Sequence, residues 1–313
     1  MNYCCNFLIR QKENIMMRYC FMLLCLILLI LPGMSHGEVN NSKPLVYVNH
    51  VYVTLDSATY SSVSNSDFLK DIFSACITKT IAADSGQSWT GTYVWGENTY
   101  IEFFNIGEYE NKGYSGIGFG VEVENGIEHL HKQFTDSGMT NIWKNVRYRQ
   151  IDDKEVPWFQ MFGFLSEDTT LSFITNTWAM EYKNEYMISK YPDRNHDSLD
   201  ITRKCYNQEE YRSDLLLKDI VELELAVDDP DYSKLLDEFK NYGYQVKQNG
   251  ALTVANGPDI RIILRAKSEN QAGICRIKFS LTDKRYEPQT EIFNNKSKLI
   301  LNSDKTAEWY FDI

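Results

Sequence analysis

The chain has 313 residues and a formal net charge of -11, and 13% of its residues are aromatic. Hydrophobic residues make up 43% of the chain, which excludes an intrinsically disordered protein, and the length favours two domains. The acidic balance argues against a general binder of nucleic acid or of anionic membranes. The aromatic content indicates strands and an aromatic-lined ligand pocket.

Residues 1–37 have the three parts of a secretory signal peptide. Basic residues come first, the apolar segment 19–31 follows, and small residues precede Gly37. The apolar segment is shorter than the about 20 residues that cross a bilayer, so cleavage after Gly37 is predicted. The mature protein is then secreted or periplasmic, with no stable membrane insertion. An uncleaved membrane anchor is the alternative.

A β-α-β-β-β unit recurs along the rest of the chain, with strands indicated by alternating β-branched and aromatic residues. The first unit comprises a strand at 46–55, a helix within 58–76, and strands at 88–95 and 99–104. The second unit comprises a strand at 116–124, a helix at 126–136, and strands at 146–151, 158–165 and 170–182.

The third and fourth units follow a polar stretch at 189–217, which is predicted to be a linker. The third comprises a strand at 219–227, a helix from 228 to 243, and strands at 244–248, 251–255 and 260–266. The fourth has strands at 273–281, 297–301 and 307–311, and no helix follows its first strand. The sequence therefore predicts an α+β fold of repeated modules, the last of them degenerate.

Three short segments resemble those of a known superfamily. They are Asn49-His50-Val51 on an opening strand, Glu102 within 100–104, and Glu181 within 178–182. The stretch 273–279 also looks like the entry to a further half-module. Together with the repeated unit, these segments resemble the vicinal oxygen chelate superfamily, the glyoxalase and bleomycin-resistance fold, over most of residues 45–282.

The resemblance implies two tandem glyoxalase-like domains, in each of which two modules pair and their curved sheets enclose a cleft. The first domain would span residues 38–188, and the second, partly degenerate domain would span 218–313. With its export signal, the chain resembles a secreted bacterial branch of the superfamily. Because such a fold hosts many chemistries, the resemblance implies the fold more narrowly than the function.

Metal enzymes of this superfamily take ligands from the first and last strands of each paired module. The resemblance implies His50, Glu102 and Glu181 as metal ligands, with Glu102 and Glu181 also as catalytic candidates, either of which could move a proton. One imidazole and two carboxylates resemble the triads that bind divalent iron, manganese or zinc. Alignment of the modules places Gly118 where a fourth ligand is expected, and glycine has no ligand atom. The alternative is a core histidine at His50 and a Glu181–Lys183 ion pair.

Aromatic side chains are predicted to share strand faces, since alternate residues of a strand point to the same side. Tyr52 shares a face with His50, Tyr100 shares one with Glu102, and Trp89, Tyr93 and Trp95 share a third. These candidate ligand-binding residues are Tyr52, Trp89, Tyr93, Trp95 and Tyr100. They form either part of the core or the wall of an apolar pocket. The motif Gly116-x-Gly-x-Gly120 leads into a strand, so it lacks the helix N-terminus that a dinucleotide phosphate needs.

Three functions are compatible with these features. The preferred hypothesis is a secreted glyoxalase-like protein that binds a small ligand in the cleft of its first domain. The second is a lyase, isomerase or dioxygenase that uses a divalent metal on a small oxygenated substrate. The third is a non-catalytic module whose acidic surface contacts a basic protein partner. The missing fourth ligand favours the first hypothesis over the second.

Overall fold

The computed structural model describes residues 46–82, 88–107, 115–165, 173–195, 200–269 and 271–312. The predicted signal peptide lies outside these residues. The described residues form sixteen strands, five α-helices and a single π-helical turn. None of the helices in this part of the chain is long and apolar enough to cross a membrane.

The first two modules build one eight-stranded sheet. The first contributes β1 (Val46–Leu55), α1 (Ser57–Ser64), the π-helical turn (Leu69–Phe73), β2 (Ala75–Ala82), β3 (Ser88–Trp95) and β4 (Tyr100–Asn105). The second contributes β5 (Ser115–Val121), α2 (Gly126–Asp136), β6 (Ile142–Ile151), β7 (Lys154–Phe164) and β8 (Thr175–Tyr182). The strand order is β2-β3-β4-β1-β5-β8-β7-β6, so each module supplies one half of the sheet.

The two halves meet at the opening strands of the modules. Strands β1 and β5 pair antiparallel at the centre, while β1 pairs parallel with β4 and β5 pairs parallel with β8. Parallel neighbours need a crossover connection, and the segments that contain α1 and α2 provide it. At the centre of the sheet, His50 lies opposite Gly118.

The second pair of modules repeats this arrangement after two short helices, α3 (Asn184–Lys190) and α4 (Arg203–Asn207). Its elements are β9 (Leu217–Val227), α5 (Asp229–Asn241), β10 (Gln245–Asn249), β11 (Leu252–Asn256), β12 (Arg261–Ala266), β13 (Gly273–Leu281), β14 (Gln289–Phe293), β15 (Ser297–Leu301) and β16 (Thr306–Phe311). The strand order is β10-β11-β12-β9-β13-β16-β15-β14. The predicted α+β fold of tandem glyoxalase-like domains is therefore confirmed.

The fourth module is degenerate, as predicted. The structure has no helix between β13 and β14, and β16 pairs with β13 antiparallel, whereas the matching strands β12 and β9 of the third module are parallel. A strand can return beside its partner in the antiparallel sense without a crossover helix. Strands β2 and β14 were not predicted: the predicted helical segment ran into the start of β2, and β14 is short and weakly apolar.

Both sheets turn one face into a shared hydrophobic core. Trp309 of the second sheet is completely buried, and its ring lies 4.9 Å from that of Phe103 in the first sheet. Elsewhere Tyr242, at the end of α5, stacks on Phe119 of β5 at 4.3 Å. The tandem domains are therefore joined by apolar packing between large rings.

Candidate functional site

The inner face of the first sheet carries a continuous layer of aromatic rings. On β1, the core valines Val51 and Val53 alternate with His50 and Tyr52, which consequently point to the opposite face. The Tyr100 ring stacks on Trp95 at 4.4 Å and on His50 at 4.6 Å. All five predicted ligand-binding residues, Tyr100 included, lie on this inner face and line its cavities.

The strand β5 leaves room for this layer because it has glycine where side chains would point inward. A Cβ atom at Gly116 would lie 2.2 Å from Tyr52 Cε1, and one at Gly118 would lie 2.7 Å from His50 Cε1. The Trp178 ring of β8 extends over the same strand and lies 5.2 Å from the His50 ring. The alternating glycines therefore allow rings from β1 and β8 to lie above β5.

A Gly116→Ala substitution is expected to destabilise the protein by about 1–3 kcal/mol, because the new methyl overlaps the Tyr52 ring. The matched control is Gly120→Ala, where the nearest atom to the new Cβ would lie at 3.4 Å. Urea unfolding and near-ultraviolet circular dichroism measure both variants. Equal stability of the two variants would refute the steric role of Gly116.

The cleft above the aromatic layer has two lobes. The first lobe has a volume of ≈ 390 Å³ and the second a volume of ≈ 380 Å³. Four residues line both lobes and mark their boundary: Trp89, Tyr100, Glu102 and Trp158. Each volume is typical of a site for a small organic ligand.

The second lobe is the more apolar one. Its walls include Met161 of β7 and Met180 and Trp178 of β8, with His50 and Tyr52 of β1 beneath. Burial lowers the pKa of His50 to about 3, and its Nδ1 lies 2.8 Å from the Asn49 side-chain oxygen. The imidazole is therefore neutral and fixed at physiological pH.

The segment from α3 to α4 covers the first lobe. The Tyr206 ring stacks on Tyr182 at 4.1 Å, and the Tyr191 hydroxyl donates a hydrogen bond to the Cys205 carbonyl. Most of this segment was predicted to be a linker at 189–217. The structure instead places Tyr191, Ile201 and Tyr206 within the cluster of buried side chains on the inner face.

Arg203 anchors this covering segment to both sheets. Its guanidinium contacts Glu122 of the first domain at 2.7 Å and Asp259 of the second at 2.5 Å, and it donates a hydrogen bond to the Val48 carbonyl. The guanidinium also lies over the Tyr47 ring at 4.5 Å. Sequence reasoning missed this contact, because the partners come from three stretches of the chain that are far from Arg203 in sequence.

Glu102 lies at the boundary of the lobes and is the acidic member of the four described residues that line both. Among the described residues, its carboxyl has no hydrogen-bond or ion-pair partner. Burial raises the pKa of Glu102 to about 8. At neutral pH the group is therefore mainly a neutral acid, which can donate a hydrogen bond into the cleft.

Glu181 does not join His50 and Glu102. It is 1% exposed and lies on the opposite face of β8, where its two oxygens accept hydrogen bonds from the backbone N–H groups of Asn125 and Ile127. It thus caps the N-terminus of α2, whose own N-cap residue Asn125 makes no side-chain cap. Lys183 lies 3.1 Å from the same carboxylate, as the alternative interpretation expected.

The residues of the cleft fit a metal ion poorly. Strand pairing relates Glu102 of β4 to Met180 of β8 and His50 of β1 to Gly118 of β5, so two of four ligand positions lack a hard ligand atom. The described residues contain no group of three or more His, Cys, Asp or Glu side chains that could hold a metal. The predicted triad is therefore not assembled.

The second sheet carries charges where the first carries rings. Arg276 of β13 contacts Glu222 at 2.5 Å, Glu224 at 3.1 Å and Glu308 at 2.8 Å. Arg261 contacts Glu222 from the neighbouring strand at 3.0 Å. These ion pairs lie on the face that corresponds to the aromatic layer, so the candidate ligand site belongs to the first sheet.

Comparisons with known proteins bear on the family and on the fold. A model described as a family of unknown function (DUF5829) matches residues 48–311. No curated protein matches the sequence. Among solved structures, the chain is similar to a hypothetical protein from Staphylococcus aureus, with 10% identity and a TM-score of 0.49, over 79% of this chain and 95% of that one.

Two structures of named activity are also similar. The Mn(II)-bound glyoxalase from Novosphingobium aromaticivorans has 9% identity and a TM-score of 0.40, over 84% of this chain and 81% of that one. A catechol 2,3-dioxygenase has 10% identity and a TM-score of 0.38, over 83% of this chain and 90% of that one. At these values the likenesses carry no argument about activity.

Proposed function

Because the chain belongs to the DUF5829 family, a family of unknown function, we propose a function from the cleft itself: the protein binds a small planar aromatic molecule there. A cleft lined by aromatic rings suits such a ligand, because a planar aromatic molecule packs favourably on rings in stacked or edge-to-face contact. The rings of Trp95, Tyr100, His50 and Trp178 form this lining. The ligand would lie across the boundary between the lobes.

The unpartnered carboxyl of Glu102 is the observation that carries this proposal. Glu102 is only partly buried, so in the free protein its carboxyl is open to the solvent of the cleft. A ligand that displaces this solvent must offer the carboxyl a hydrogen-bond acceptor, or binding loses the free energy of an unmade hydrogen bond. Such a ligand is a planar molecule with an oxygen or nitrogen acceptor at its edge.

Binding of N-phenyl-1-naphthylamine, an uncharged dye that fluoresces in apolar sites, tests the proposal. The dye should gain fluorescence with the wild-type protein and raise its Tm by about 5 °C at a concentration of about 100 Kd. A Met161→Trp variant should lose this binding, because the larger side chain fills the second lobe.

The matched control is Leu165→Trp, which adds the same side chain four residues away at an exposed position. This variant should bind the dye as the wild type does. Absence of binding by the wild type, or equal binding by both tryptophan variants, would reject the cleft as a ligand site. The proposal assigns no chemical conversion of the ligand, since the cleft does not assemble the predicted catalytic pair Glu102 and Glu181.

A further inference from the structure

Three basic side chains line the first lobe, and ion pairs engage two of them. The basic side chains are Lys79, Arg149 and Lys190, and the acidic ones are Glu102, Glu209 and Glu210. Lys79 forms an ion pair with Glu210, and Lys190 lies 3.6 Å from Glu209. The remaining cation is Arg149.

Arg149 is held in place without a counter-ion. Its guanidinium donates a hydrogen bond to the Tyr186 hydroxyl at 3.1 Å and lies 4.9 Å from the centre of the Trp158 ring. No carboxylate of the described residues lies within ion-pair distance of it. A guanidinium has five N–H donors, and this hydrogen bond uses one of them.

A positively charged ligand does not suit the first lobe, although aromatic rings line it. Lys79 lies 5.5 Å from the Trp95 ring centre, and Lys190 lies 4.6 Å from that of Tyr206. With Arg149 over Trp158, three of the ring faces already have cations of the protein. A cationic ligand would therefore meet both competition and repulsion.

We propose that the ligand is an aromatic monoanion whose ring lies in the second lobe and whose acidic group binds Arg149 in the first lobe. This inference rests on the proposed binding function and adds the charge of the ligand. A carboxylate or a similar oxyanion accepts two parallel hydrogen bonds from a guanidinium, and it gives Arg149 the ion-pair partner that the described residues do not supply. The boundary residues Trp89 and Tyr100 would lie beside the bond that joins ring and acid.

Two dyes with the same ring system test the charge. 8-Anilinonaphthalene-1-sulfonate is the anionic counterpart of uncharged N-phenyl-1-naphthylamine, and both are titrated by fluorescence. The wild type should bind the anionic dye at least about 10-fold more tightly. Arg149→Gln should abolish this preference and leave the uncharged dye within about 2-fold, while Arg149→Lys should retain part of the preference.

Two further variants locate the charge. Arg261→Gln makes the same change on the second sheet and should leave the affinity of both dyes unchanged. Arg147 lines the second lobe, so an equal loss of preference in Arg147→Gln would place the acidic group there and overturn the inference. Equal affinity of the wild type for both dyes would overturn the inference but keep the binding function. Absence of binding to both would reject the two together.

Discussion

Replacement of Trp309 by alanine is expected to lower the free energy of unfolding by about 3–5 kcal/mol. The indole is completely buried, lies within 6.5 Å of the rings of Phe73, Phe103 and Phe279, and donates a hydrogen bond to the Ser297 hydroxyl. Its removal leaves a cavity between the two sheets. Because Phe103 belongs to the first sheet and Phe73 to the π-helical turn of the same module, the loss should appear in both sheets at once.

Urea unfolding followed by two signals checks this prediction. Far-ultraviolet circular dichroism reports both sheets, and binding of the uncharged dye reports the first sheet. The two midpoints should shift together in Trp309→Ala. The exposed Ile292→Ala change on β14 is the control and should cost less than about 0.5 kcal/mol. If the midpoint from circular dichroism shifted and the midpoint from dye binding did not, the two sheets would unfold independently.

Glu102 should make the protein less stable as the pH rises from about 5 to about 8. Burial raises its pKa to about 8 in the folded state, so the folded protein keeps a proton that the unfolded chain releases near its ordinary pKa. The stabilisation is complete below the unfolded pKa and is lost as the pH rises through the folded one. Over this range the loss is about 3 kcal/mol.

Glu102→Gln should remove this dependence, because glutamine has a similar shape and no titrating group. Its free energy of unfolding should exceed that of the wild type at about pH 8, and the difference should disappear near pH 5. Exposed Glu287→Gln is the matched control and should follow the pH profile of the wild type. An identical pH profile for Glu102→Gln and the wild type would contradict the neutral state of the carboxyl.

The sequence predicted the repeated modules well because each module has its own local pattern. Alternation identified β1, β3 and β4, and Gly138 and Gly243 marked the helix ends, with φ of 91° and 87°. The degenerate fourth module was predicted for the same reason, since the sequence after its first strand has no helical pattern. Strand β2 was missed because the preceding helical pattern extended into it.

The candidate site was predicted only in part, because it depends on strand parity and on distant contacts. His50 and Glu102 share one face, whereas Glu181 is one residue away from the position that matches Glu102, and one residue reverses the face of a strand. The cover of the first lobe by Tyr206 had no local signal either. A polar stretch of sequence does not reveal that a single tyrosine within it packs on a distant sheet.

Gly118 is compatible with the layer of stacked rings but not with a complete set of metal ligands in this fold. A histidine or carboxylate there would restore a ligand position for a metal, but its Cβ would occupy the space of the His50 ring. The layer of stacked rings and a complete ligand set are thus sterically incompatible in this chain. A complete ligand set would require substitutions at both Gly118 and Met180 and a displacement of the His50 and Trp178 rings, so no single mutation supplies it.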